Sequence, residues 1–103
     1  MILTTTNSVE GYAIAEYIDI VSGTAVHIQK AKMTFNVQKY YAAIGDSISE
    51  VKDMAFKQLK ENAAKLNAHA VVGIKVDIEL TASNFVTVTT TGTAVSLIKK
   101  KTI

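Results

Sequence analysis

The sequence contains no cysteine, so disulfides and thiolate metal ligands are excluded outright, while a reducing cytosol is permitted. Proline is also absent, which removes the usual mark of a rigid linker, and no low-complexity stretch divides the chain. The five glycines are dispersed, so no Gly-rich loop is available to cradle a phosphate. No apolar run approaches the roughly 18 residues that a membrane-crossing helix needs. The opening Met1-Ile2-Leu3-Thr4-Thr5-Thr6 has neither a basic start nor a long apolar stretch, so a signal peptide is not expected. Charge is scarce as well. Only 19% of residues are charged, and Lys99, Lys100 and Lys101 more than account for the net charge of +2. Without that run the chain is close to neutral, which argues against a nucleic-acid-binding face. No aromatics alternate with those lysines to stack bases, and residues 97–103 read as a solvated, disordered basic tail.

What is present is apolar. The 103 residues suit one domain spanning 1–103, and 49% of them are hydrophobic, with mean hydropathy +0.22. That is more apolar surface than one helix on one small sheet hides easily, although alanine inflates the count without adding much area. Large exposed apolar patches mark interfaces, so self-association is the first functional expectation.

Ile2 to Thr6 reads as a short edge strand ended by Asn7-Ser8. After Glu10-Gly11, Tyr12 to Ile28 reads as a long strand. Strict alternation would place Tyr12, Ile14, Glu16, Ile18 and Ile20 on one face and Ala13, Ala15, Tyr17, Asp19 and Val21 on the other. Both faces are largely apolar, as if helix covered one and a neighbouring subunit the other. Ser22-Gly23 is expected to bend or bulge the strand. Met33, Val37, Tyr40, Tyr41 and Ile44 recur at helical spacing, which predicts a shorter helical segment within 29–45, ended by Gly45.

The clearest element follows. Ser47 and Glu50 have capping-box spacing, with Asp46 and Asp53 adding negative charge at a helix start. Ile48, Val51, Ala55, Leu59, Ala63 and Leu66 form an apolar stripe with Phe56 at its border. Asn67 stands where a left-handed residue is expected to end the helix. Val72, Ile74, Val76, Ile78 and Leu80 then alternate with Gly73, Lys75, Asp77 and Glu79. A turn over 81–84 leads into a return strand from Phe85 to Val95. The face Val86, Val88, Thr90, Gly92 and Ala94 shrinks along that strand, leaving room for a close neighbour. Ser22-Gly23-Thr24-Ala25-Val26 and Thr91-Gly92-Thr93-Ala94-Val95 echo one another. One physical reading is that both strands need a position free of side chain. The fold class predicted is α+β: a mostly antiparallel sheet on one long helix plus a shorter helical segment.

Thr5-Thr6, Glu10-Gly11, Tyr17, Ile20-Val21-Ser22-Gly23, the helix with Ala55, Leu59, Ala63 and Leu66, Ala68 to Ile74, and Gly92-Thr93-Ala94-Val95 resemble the YbjQ-like family in order and spacing. The resemblance covers nearly the whole chain. It implies a dodecin-like or YbjQ-like β/α fold assembled as a pentamer, in a family credited with heavy-metal binding but no defined role. Three departures stand out. Ile18-Asp19 replaces the family's glycine after the Tyr17 region. Ala43-Ile44-Gly45-Asp46-Ser47 replaces a Gly-Gly-Arg-Ser-like element, without its anion-binding arginine. Asn67-Ala68-His69-Ala70 replaces Gly-Ala-Asn-Ala.

The residues offer little chemistry. Soft metals want thiolate or thioether ligands, and Met33 and Met54 fall at apolar helical positions that read as core. His27 and His69 belong to no local ligand cluster, although oligomer symmetry could bring copies together. No metal or cofactor is therefore expected. Asp77 and Glu79 share a strand face, but Lys75 beside them marks an ordinary solvated surface. Ser47 and Ser49 have no neighbouring base. No catalytic residue is assigned and the chain is not expected to be an enzyme. The expectation is a cytoplasmic homo-oligomer, a pentamer, with a structural or binding role and neither nucleic-acid nor membrane partners. The alternatives are heavy-metal binding, or a small-ligand carrier whose interface pockets use Tyr12, Tyr17, Tyr40 or Tyr41.

Overall fold

The computed structural model describes residues 1–28, 37–80 and 85–101. Along the chain these form β1 (Ile2–Leu3), β2 (Tyr12–Ile28), α1 (Val37–Lys65), β3 (Ala70–Leu80) and β4 (Phe85–Lys99). The strands make one sheet in the order β1-β3-β4-β2, in which the β1–β3 pair is parallel and the others antiparallel. The helix lies mainly over β2 and β4 and barely reaches β3. This is the expected α+β class, with a mostly antiparallel sheet on one long helix.

The helix starts earlier than its capping box suggests. It runs unbroken from Val37, so Gly45 does not end a separate segment and Ser47 is an interior residue, not an N-cap. Val37, Tyr40, Tyr41, Ile44, Ile48, Val51 and Ala55 keep one helical phase across the join. A single interior glycine costs only about 1 kcal/mol against that continuity. No acidic residue lies in the actual first turn, so Asp46, Glu50 and Asp53 do not serve the helix dipole as expected. Residues 29–36, which held the rest of the expected shorter helix, and the expected turn at 81–84 lie outside the described residues. At the other end, β4 continues to Lys99, and the Lys100 amide donates to the Gly11 carbonyl at 3.0 Å. Much of the expected basic tail is therefore anchored backbone.

The stripe on α1 buries Val51, Ala55, Leu59 and Ala63. Leu59 and Ala63 meet Val21, Val71, Ile74 and Ala94, while Val51 and Ala55 meet Ala25, Val86 and Val88. Leu66, the last stripe residue, is exposed instead. On the opposite face of the sheet a smaller cluster joins Ala70, Val72 and Val95, with Val9, Ile14 and Leu97 against it.

Close approach of α1 explains Gly23. A Cβ there would overlap the Ala55 carbonyl oxygen and stand 2.5 Å from the Leu59 nitrogen. No register shift occurs at Ser22-Gly23, so the glycine makes room for helix backbone and does not bend the strand. Thr90, completely buried beside it, shares its hydroxyl proton between the Gly23 and Ala55 carbonyls at 3.1 and 3.2 Å. The echoed glycine, Gly92, is likewise hemmed in, by the Val71 and Ile74 side chains and the Val72 carbonyl.

Three β-bulges reset the alternation. The β2–β4 register slips between Ile14 and Glu16 and again between Tyr17 and Asp19. Tyr12, Ile14, Tyr17 and Ile20 consequently share the face away from the helix, and Ile18 packs under α1. In β3 the slip lies between Val72 and Lys75, around Gly73 with its left-handed φ of 61°. That bulge places Val72 on the opposite face from Ile74, against the uniform alternation expected for this strand.

Candidate functional site

The end of α1 builds the most organised polar corner of the protein. Asn67 adopts φ 57°, as its sequence position predicts. The Asn67 amide bonds the Ala64 carbonyl at 3.0 Å and the Ala68 amide reaches Ala63 at 3.2 Å, which is the paired bonding of a Schellman ending. The chain then turns sharply, and His69 meets the end of β4. Its backbone N–H donates to Val95 O at 2.9 Å, and its Nδ1 accepts the Leu97 N–H at 2.8 Å. An imidazole nitrogen that accepts a hydrogen bond is unprotonated, so in the neutral ring the proton sits on Nε2.

Beside this ring lies an open cleft of about 400 Å³ lined by Met1, Ile2, Tyr12, His69 and Leu97. The structure thus brings together two residues singled out in the sequence, Tyr12 and His69. A second cleft, of about 540 Å³, lies along residues 2–11 with Glu10 and Lys100 among its lining residues. Its threonines are occupied with one another: Thr4 and Thr6 hydroxyls are 2.8 Å apart, and Thr6 donates to Ser8 O at 2.6 Å.

The remaining candidates are scattered. His27 pairs with Val86 at one end of β4 and His69 adjoins Val95 at the other, a separation of roughly 30 Å along the strand. The two histidines cannot share an ion within one protomer. Met54, read as core, is exposed on α1, while Met33 lies outside the described residues. Tyr17 is exposed, and the side chains of Tyr40, Tyr41 and Ser47 are not among those described. Asp77 and Glu79 are exposed opposite Thr89 and Thr87, with Lys75 on the same face.

A resident metal ion fits this arrangement poorly. Among the described residues, no three His, Asp or Glu side chains come together to surround a cation. His69 could offer Nε2 only by moving its proton to Nδ1, which would set two donors against each other at Leu97. Among the described residues, no helix is long and apolar enough to cross a membrane.

Residues with a defined role that sequence reasoning passed over are Asp19, Gln58 and Asn62. Gln58 Oε1 accepts the Thr24 N–H at 2.6 Å, and Asn62 Nδ2 donates to the Ser22 carbonyl at 2.8 Å. Asp19 Oδ1 accepts the Ile20 N–H at 2.8 Å. Together they occupy the outer edge of β2. The signal available in the sequence was a pair of uncharged amides spaced i, i+4 beside Leu59 and Ala63.

Comparison with known proteins agrees with this architecture. A family model described as "Putative heavy-metal-binding" matches residues 1–98. A UPF0145 protein of Bacillus cereus (strain ATCC 10987) is 36% identical over 109 residues, covering 94% of this chain and all of the relative. A UPF0145 protein of Halalkalibacterium halodurans is also 36% identical, over 94% of this chain and 96% of its own. The crystal structure of a DUF74-family protein of unknown function from Pediococcus pentosaceus superposes with a TM-score of 0.74. It is 24% identical and covers 95% of this chain and 98% of its own, so it speaks to the fold alone. Matched by the family model from its first residue to Ile98, the chain belongs to the YbjQ-like (UPF0145) family.

Proposed function

We propose that this chain is the protomer of a cytoplasmic homo-oligomer, a pentamer, with a structural or binding role and no catalysis of its own. The observation that carries the reading is shape. The radius of gyration is 17.4 Å, against about 13 Å for a compact domain of this length. The accessible surface of 7411 Å² likewise exceeds the roughly 5,700 Å² of a compact monomer of this mass, by on the order of 1,700 Å². A standard interface hides about 800 Å² per partner, so two neighbours in a ring would cover about that excess. Apolar side chains are exposed to match: Tyr17 at 69% and Ile20 at 73% stand on the sheet face that lacks a helix. The cytoplasm suits a cysteine-free chain.

Sedimentation velocity at micromolar concentration tests this. The expected species has five times the 11.1 kDa chain mass. A monomer would overturn the reading, and another closed stoichiometry would keep the oligomer and discard the pentamer.

A second reading, a small-ligand carrier, draws on the cleft beside His69. An imidazole whose Nε2–H has no partner among the described residues, a tyrosine and three apolar side chains combine an apolar lining with few polar handles, as small-molecule sites do. Native mass spectrometry of gently purified protein should then reveal a bound mass that Tyr12→Ala and His69→Ala release. Apo protein at full occupancy of the spectrum discards the carrier. Heavy-metal binding, the family's description, is the least supported by these residues, for want of thiolates in the sequence and of a ligand cluster among the described residues.

A further inference from the structure

We propose that the outer edge of β3, from Lys75 to Leu80, is a strand-addition site that takes an extended segment of a second copy of this chain. The proposal rests on the homo-oligomeric reading and adds where, and through which backbone groups, the copies meet.

Two independent routes fix which backbone groups of β3 face outward. Ile74 donates its N–H away from β4, to Thr4 O at 3.1 Å, so Val76, Ile78 and Leu80 point outward in turn. From the other side of the sheet, Ser22 uses its carbonyl at the outer edge of β2 and is paired with Thr91. Thr91 therefore turns its own polar groups toward β3, where its partner is Lys75. Lys75, Asp77 and Glu79 bond inward, and Val76, Ile78 and Leu80 offer their N–H and C=O groups to the outside.

The two edges of the sheet are treated differently. On β2, three successive outward residues are engaged by side chains: Ile20 by Asp19, Ser22 by Asn62 and Thr24 by Gln58. Such capping is how an edge that is not meant to pair is blunted. On β3, the segment from Ile2 to Thr6 covers the edge only as far as Ile74. Beyond it, among the described residues, nothing caps the backbone of Val76, Ile78 or Leu80.

The side chains there are as unfinished as the backbone. Val76, Ile78 and Leu80 lie on the helix side of the sheet, opposite Thr90, Val88 and Val86, yet are 37%, 48% and 59% exposed. α1 lies over β4 and β2 and leaves this row uncovered. An apolar row beside an open row of backbone donors and acceptors suits an added strand, which satisfies the backbone and covers the row together. Three features favour a second copy as the occupant. The excess surface is what a protomer with two neighbours would hide. Lys75 offsets one of the two acids Asp77 and Glu79 along the same edge, so no strong field selects a partner of opposite charge. The blunted β2 edge leaves β3 as the side from which the sheet can extend.

Proline reads backbone parity directly, because it is tolerated on an edge strand where its missing N–H would have faced outward. Ile78→Pro and Val76→Pro are expected to fold, by circular dichroism, and to lose the assembly in sedimentation. Asp77→Pro, which deletes an inward bond to β4, is expected to unfold. Oligomeric Ile78→Pro and Val76→Pro proteins would overturn the proposal while leaving the homo-oligomer intact, whereas a monomeric wild type would overturn both. Should the proline variants not fold, amide exchange in the wild type decides. Protection of Val76, Ile78 and Leu80 comparable with Asp77 and Glu79, lost on dilution to the monomer, is the expected result. Fast exchange of those three amides in the intact assembly would overturn the proposal.

Discussion

Gly23→Ala is expected to lower the thermal midpoint by about 12–24 °C, corresponding to a loss of roughly 3 kcal/mol in a domain of this size. Added methylenes in a packed interior usually cost about 1–3 kcal/mol, because neighbouring side chains shift or change rotamer. Here the atoms in the way are the Ala55 carbonyl oxygen and the Leu59 nitrogen, which belong to helix backbone and cannot rotate aside. Relief requires α1 to lift from β2. That movement would stretch the Gln58 and Asn62 bonds to the β2 edge and the Thr90 bonds to Gly23 and Ala55. Gly45→Ala is the control. A Cβ there meets nothing within 4 Å, and replacing glycine inside a helix should add about 0.5–1 kcal/mol of stability. Thermal melts of both variants at one fixed concentration check the pair. A Gly23→Ala protein as stable as the wild type would mean that the helix is not seated on Gly23.

Leu59→Ala has an effect at least as large, an expected loss of about 3–4 kcal/mol in urea unfolding. Leu59 is wholly buried at the centre of the helix stripe, and its neighbours Ala63, Ala94 and Val21 are short side chains on rigid elements. Short neighbours cannot swing in to refill the space, so most of the cavity persists, which is the circumstance in which such truncations cost most. Met54→Ala, on the exposed side of the same helix, should change stability by less than about 0.5 kcal/mol. Equal losses from the two truncations would contradict the seating of α1 described above.

Much of this fold was legible because burial imposes a period. The stripe from Val51 to Ala63, the left-handed Asn67 and the bounds of β2 and β3 all follow from patterns that one element must satisfy by itself. The failures share a different cause. A β-bulge adds one residue, and in β2 nothing in the composition marks it, while in β3 the mark is a single glycine, Gly73, so uniform alternation puts Ile18 and Val72 on the wrong faces. The Ser47–Glu50 capping spacing was real but was outweighed by an apolar phase that continues back to Val37. The edge amides of α1 carry only a faint signal, their i, i+4 spacing, since Gln58 and Asn62 look like ordinary surface residues until β2 is placed beneath them. His69 was marked only by its position at a turn. Its imidazole bond to Leu97 and its nearness to Tyr12 depend on pairing between the two ends of the chain.

The strand order also sets when the protein can take shape during its synthesis. β4, flanked by both long strands, is the last of the four to leave the ribosome, and Tyr12 waits for Lys99 as its partner. At about 5–20 residues per second, β2 spends several seconds translated yet without a neighbour. Pairing over such sequence separations is intrinsically slow, and an apolar strand left waiting invites association with the wrong chain. Gln58 and Asn62 are made before β4, so α1 can fold over β2 and engage its backbone while the proper partner is still being translated. The caps that blunt a finished edge would then act as a temporary guard on a nascent one.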